Sequence, residues 1–304
     1  MSSAVRVGHA AQDPAAQYPT AQVPAAQDPA AQDPAAQVPA ASEQDAPARA
    51  ALAQDAKDLN LIASFVAVRN VPELTARAVD AKLGGPADIA VLFGGGGPAT
   101  ADALAAAMKA QVATGYVIAG GHGHTTSRVY DALSARLPQG AVSPEDSEAE
   151  MLDAYLRHRY GLSADLLEKA STNCGSNVIN LLSLLAEKHI DATRFVLIHD
   201  APFQRRISAT MELEAPEASW VNLAAWRAKV GVKEGRLTYL EAPEAMWSLD
   251  HYRSLLLGEV RRLWDTPEGY GPRGSHFLAH VEVPDEVIAA YRRLCARYPE
   301  GPRP

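Results

Sequence analysis

The stretch "ADIAVLFGGGGPATADALAAAMKAQ", residues 87–111, decides the fold. Its apolar run from Ile89 to Phe93 has no polar face, as expected of a strand buried on both sides of a sheet. Four glycines, Gly94 to Gly97, then turn the chain. Pro98 opens an alanine-rich helix, because proline lacks only an N–H that the first helical turn leaves unbonded. The same strand, glycine turn and helix recur in "GYVIAGGHGHTTSRVYDALSARL" (115–137), where Tyr116 to Ala119 run into Gly120, Gly121 and Gly123. They recur again in "RFVLIHDAPFQRRISATMELEA" (194–215), where Phe195 to Ile198 end on His199 and Asp200.

Three such units imply parallel strands, since parallel neighbours need a crossover long enough to hold a helix. The expected architecture is α/β: a doubly wound, mostly parallel, Rossmann-like sheet with a smaller, mainly helical C-terminal subdomain. Three segments follow from composition. Residues 1–47 hold six pentads such as AQDPA and AQVPA, whose regular prolines and scarcity of large apolar residues predict disorder. Residues 48–220 form the nucleotide-binding-type domain and 221–304 the appended subdomain or lid. Within them, "DLNLIASFVAVRNVPELTARAVDAKL" (58–83) reads as two helices broken at Pro72. Ser147 with Glu150 forms a capping box, and a helix is expected over 175–189. After Trp220, short strands are expected near Val221 and over Leu237 to Leu240, then helices from Ala245 to Trp264 and after Pro284.

The chain has 304 residues, 47% of them hydrophobic, enough for a sizeable core. A net charge of −8 without any basic block argues against a nucleic-acid partner held through phosphates. Cys174 and Cys295 cannot form a disulfide framework, and neither a signal peptide nor a membrane-spanning run occurs, so a cytoplasmic protein with no membrane partner is expected.

Ligands of such sheets sit at strand carboxyl ends, where glycines let backbone N–H groups approach and helix N-termini carry roughly half a positive charge. The candidate set is therefore Gly94, Gly95, Gly96, Gly120, Gly121, His122, Gly123, His124, Thr125, Thr126, Asp200 and Gln204. The glycine run is neither a spaced dinucleotide fingerprint nor a P-loop. The histidine spacing matches no zinc signature, so no metal is expected. Arg205 and Arg206 begin a helix whose dipole opposes them, which calls for an anion: a carboxylate such as Glu148 or Glu212, or a bound carboxylate or phosphate. Glu148 and Glu150 read as first-turn residues favoured by the dipole.

"STNCGSN" (171–177) opens the 175–189 helix. Ser171 or Thr172 is the expected cap, with Thr172, Asn173 and Asn177 as ligand contacts. Cys174 is expected to line the pocket as a bystander. It becomes a nucleophile only if the fold brings His122, His124 or His199 to it.

These residues carry a resemblance. "STNCGSN", "QRR" (204–206) with "SAT" (208–210), "SLLLGE" (254–259), and "GYGPRG" (269–274) with "VPDEVI" (283–288) occur in the order seen in the bacterial YdcF family, which includes the SanA and ElyC branch. The chain resembles that family from about Asn60 to Tyr298, with two departures: the fourth glycine and proline of "GGGGP", and the lack of the SanA/ElyC membrane anchor. The resemblance implies S-adenosylmethionine as a small-molecule ligand, held by the glycine turns, the 171–177 stretch, Gln204, Arg205 and Arg206. An enzyme using that ligand for methyl or other group transfer is the expected function. A non-catalytic sensor or interaction module is the alternative, and a phosphate or nucleotide hydrolase using Asp200 and the histidines is a third.

Overall fold

The computed structural model describes residues 46–299; the pentad segment lies outside them. In chain order come α1 (Ala46–Val66), α2 (Ala76–Leu83), β1 (Ala87–Phe93), α3 (Pro98–Lys109), β2 (Ala113–Ala119), α4 (Thr126–Ser134), α5 (Glu148–Tyr160), β3 (Leu166–Glu168), α6 (Cys174–Glu187) and β4 (Arg194–His199). There follow α7 (Gln204–Glu214), β5 (Ser219–Ala224), β6 (Lys229–Lys233), β7 (Arg236–Glu241), α8 (Leu249–Leu263) and α9 (Asp285–Arg297).

Five strands form one parallel sheet in the order β3-β2-β1-β4-β5. Successive side chains of a strand point to opposite faces, and β1 shows it: Ala90 and Leu92 pack with α3, α4 and α5, whereas Ile89, Val91 and Phe93 pack with α6 and α7. Both faces are covered, so the sheet is a doubly wound, Rossmann-like α/β fold. Truncating a central residue such as Leu92 to alanine costs about 2–5 kcal/mol, because the space it leaves cannot fully collapse.

The border expected at 220 falls inside β5, and a bridge between Arg69 and Leu223 covers the outer edge of that strand. A third apolar cluster joins α1 to α8, α9 and the antiparallel β6–β7 hairpin. The C-terminal elements are thus built onto the first described helix as well as onto the sheet. The hairpin turns at Glu234 and Gly235, both with positive φ (53° and 72°), the geometry that matches strand twist. Among the described residues no helix is long and apolar enough to cross a membrane.

Candidate functional site

The chain steps outward from β1 through β2 to β3, then returns to β4 on the other side of β1. The reversal leaves a crevice beyond the carboxyl ends of β1 and β4, the ligand position of such sheets. Gly95 sits there with φ +92°, a conformation that disfavours any side chain. A Cβ on it would stand 3.4 Å from Thr125 Oγ1 and 3.7 Å from His199 Cε1, so this turn threads between β2's loop and β4's end.

Glu148 stands in the first turn of α5, as expected, and is also buried against the two glycine turns. It is 5% exposed, and its Oε1 accepts hydrogen bonds from Thr125 (3.0 Å) and Thr126 (2.9 Å). A Cβ on Gly94 would overlap its Oε2. Burial raises the carboxyl above its ordinary range, against the two threonine hydroxyls and the Gly95 N–H.

The N–H donors of the second glycine turn are bonded within the chain. Gly121 N–H donates to Ser171 Oγ at 3.0 Å and Gly123 N–H to Thr126 Oγ1 at 2.8 Å. A Cβ on Gly121 would overlap Ser171 O, so this glycine permits packing against the 169–172 loop. Gly120 donates to Glu168 O at 2.9 Å. His122 and His124 are exposed; His122 Nε2 meets Glu145 O at 3.1 Å. Gly96 faces Thr100, within its own turn.

The cap of α6 is Asn173, not Ser171 or Thr172. Asn173 Oδ1 accepts from Ser176 N–H at 3.0 Å, and Ser176 Oγ accepts from the N–H groups of Thr172 (2.9 Å) and Asn173 (3.0 Å). A capping residue needs an acceptor placed over the first turn, and asparagine supplies it here. Ser171 instead belongs to a buried brace: Glu168 Oε1 accepts from the N–H groups of Ala170 (2.6 Å) and Ser171 (3.0 Å) and from Asn180 (3.2 Å). Asn177 is buried in the first turn of α6.

The fold does bring a histidine to Cys174. His199 Nε2 lies 3.6 Å from Cys174 Sγ, and the imidazole is 1% exposed between Phe93 and Phe203. Burial, reinforced by the Arg206 charge, lowers the imidazole to about 3, while burial pushes the thiol up with Arg206 opposing. At rest the pair is neutral. His199 Nδ1 has no hydrogen-bond partner.

Asp200, 2% exposed, accepts a hydrogen bond from the Trp226 indole at Oδ1. Burial raises its carboxyl to about 6, opposed by Trp226, the Arg128 charge and the Trp247 indole. Oδ2 has no conventional hydrogen-bond partner. Over it lies the loop 242–248, with Trp247 stacked on His251 (4.5 Å) and under the Arg128 guanidinium (3.4 Å). Arg128 also donates to Ala245 O at 2.6 Å. The cavity beneath, open on one side, is about 20 Å3, room for one water.

The arginines at α7 are committed inside the protein. Arg206 makes a two-pronged pair with Glu259 (2.7 and 2.9 Å), to which Arg262 also reaches at 3.5 Å. Arg205 donates to Phe65 O at 2.5 Å and lies 4.1 Å over its ring. The carboxylate that compensates Arg206 is thus Glu259 rather than Glu148 or Glu212. Gln204 is fully buried, donating to Leu197 O (3.1 Å) and Asn222 Oδ1 (3.0 Å). Among the described residues no three His, Cys, Asp or Glu side chains are arranged to hold a metal.

Glu168, Glu259, Arg128, Trp226 and Trp247 shape the site without having been candidates. Glu259 alone carried a signal, standing inside the "SLLLGE" motif. No family model matches the chain.

Proposed function

We propose that the protein binds S-adenosylmethionine in the crevice beyond β1 and β4, as an enzyme that uses it for methyl or other group transfer. The observation that carries this reading is electrostatic: two buried carboxylates, Glu148 and Asp200, lie at the strand ends against one nearby guanidinium, Arg128, while both α7 arginines are bound within the protein. Such a site favours a cation, and S-adenosylmethionine presents a sulfonium and an ammonium. Resemblance to the YdcF family points to the same ligand. The same charges disfavour phosphate groups, so hydrolysis of phosphate esters fits less well. A sensor that binds without turnover uses the same crevice.

Drug-sized ligands occupy clefts of about 300–1,000 Å3. Entry therefore requires the 242–248 loop to lift and the Arg128–Trp247 contact to break. Calorimetric titration tests the reading: wild-type protein gives saturable heat with S-adenosylmethionine and much less with adenosine triphosphate. Glu148→Gln weakens the former about tenfold, the loss of one charge-assisted contact. Absence of heat at millimolar S-adenosylmethionine removes the reading.

A further inference from the structure

Cys174 opens α6, where the helix dipole favours negative charge on a thiol, and its sulfur lies 3.6 Å from His199 Nε2. Cys174 packs at the edge of two apolar clusters, and the Arg206 guanidinium is the charge that most favours its thiolate.

We infer that Cys174 is the nucleophile of the crevice, its thiol accepting a methyl or alkyl group from a sulfonium while His199 Nε2 receives the thiol proton. The inference rests on S-adenosylmethionine being the ligand, and it names the acceptor that this reading leaves open.

The histidine supplies an independent sign of a ligand. If Nε2 accepts from the thiol, Nδ1 carries the ring hydrogen, and in a side chain 1% exposed that donor has no partner. A buried donor left unpaired costs about 1–3 kcal/mol, which an acceptor atom on a ligand would recover. The flanking carboxylates select a cationic electrophile over an anionic one.

The step balances. Sulfur of Cys174 forms a bond to the methyl carbon, and the carbon–sulfonium bond breaks. Its electron pair stays on the departing sulfur, which leaves as a neutral thioether. The thiol proton passes to His199 Nε2 and from there to water. One positive charge enters with the sulfonium and ends on the imidazole, so no new charge is created in the buried site. That matters because burial keeps this thiol protonated and this imidazole neutral at rest. A protonated thioether is a strong enough acid to give its proton even to a weak base. The product is a stable thioether, so each chain takes up one group.

The full chain is incubated with S-adenosylmethionine carrying an isotopically labelled methyl, then examined by intact mass and peptide mapping. One methyl per chain is expected, on the peptide containing Cys174; Cys174→Ser takes up none, and Cys295→Ser behaves as the wild type. His199→Gln slows uptake about 100-fold, the usual range for losing a general base. Label on any other residue, or uptake undiminished in Cys174→Ser, overturns the inference. Calorimetric binding by wild-type protein without any label after prolonged incubation overturns it while leaving the ligand reading intact. Absence of binding sinks both.

Discussion

The two sides of the crevice are built on opposite rules. On the β2 side most polar groups have partners: Glu148 Oε1 holds two threonine hydroxyls, Ser171 holds Gly121, and Asn173 and Ser176 cap each other's turn, with Glu168 Oε2 the buried atom left over. On the β4 side, His199 Nδ1 and Gln204 Oε1 are buried without partners, and Asp200 Oδ2 has only the Trp247 indole near it. A satisfied network is a frame that resists change, whereas orphaned atoms carry a desolvation cost that only another molecule can relieve. The β2 side is the more fully bonded of the two, and the β4 side carries more of the unpaired atoms.

The β4 side stays in place despite that cost because Glu259 is anchored beneath it, paired with Arg206 and reached by Arg262. Glu259→Ala leaves Arg206 buried without its counter-charge, and breaking such a pair costs about 3–5 kcal/mol. Thermal or denaturant unfolding should show the largest loss of any crevice variant here. A loss no greater than that of a β2-side hydrogen bond would mean the sides do not differ as described.

How much of this is legible in sequence follows from what each feature depends on. Strands β1, β2 and β4 are apolar runs between glycines and helix starts, local signals that need no partner. β3 has three residues and β6 has Lys at both ends, so neither offers a run to read. Asp200 and the 171–177 stretch are legible as strand-end and helix-start positions. The roles of Glu148 and Cys174 are not, because each is set by residues distant in sequence: Thr125 and Gly94 for one, His199 for the other. Arg206 announces that it needs an anion, but only the packing of α8 against the 201–203 turn supplies Glu259.

Adjacent residues on the β4 side titrate with opposite consequences. His199, lowered to about 3 from 6.5, binds fewer protons folded than unfolded, so its contribution is present above 6.5 and lost as pH falls. Asp200, raised to about 6 from 3.8, binds more protons folded, so its contribution is full below 3.8 and lost as pH rises through 6. Asp200→Asn removes the buried charge and keeps an oxygen for Trp226. It should raise stability by on the order of 2 kcal/mol at neutral pH, a gain that vanishes below about pH 4. Without Asp200's offset, the decline caused by His199 between neutral and mildly acid pH should steepen. Unfolding midpoints across pH check both, and a variant less stable than wild type at neutral pH would place Asp200 among the satisfied groups. The same variant should bind S-adenosylmethionine about tenfold more weakly, since the charge removed is one of the two that favour a cation.

The smallest effect belongs to the frame. Ser171→Ala deletes the acceptor of the Gly121 N–H while leaving the Glu168 brace on the Ser171 backbone intact. One buried amide is then unpaired, worth about 1–2 kcal/mol. Because Ser171 contacts the glycine turn and no orphaned atom, affinity for S-adenosylmethionine should change less than about threefold once the protein is folded. Stability and affinity therefore separate on this side and change in opposite directions on the other: a frame residue shifts the unfolding midpoint alone, whereas Asp200→Asn trades affinity for stability. If Ser171→Ala lowered affinity as much as Asp200→Asn, the second glycine turn would itself be contacting the ligand, and the division into a positioning side and a binding side would have to be redrawn around β2.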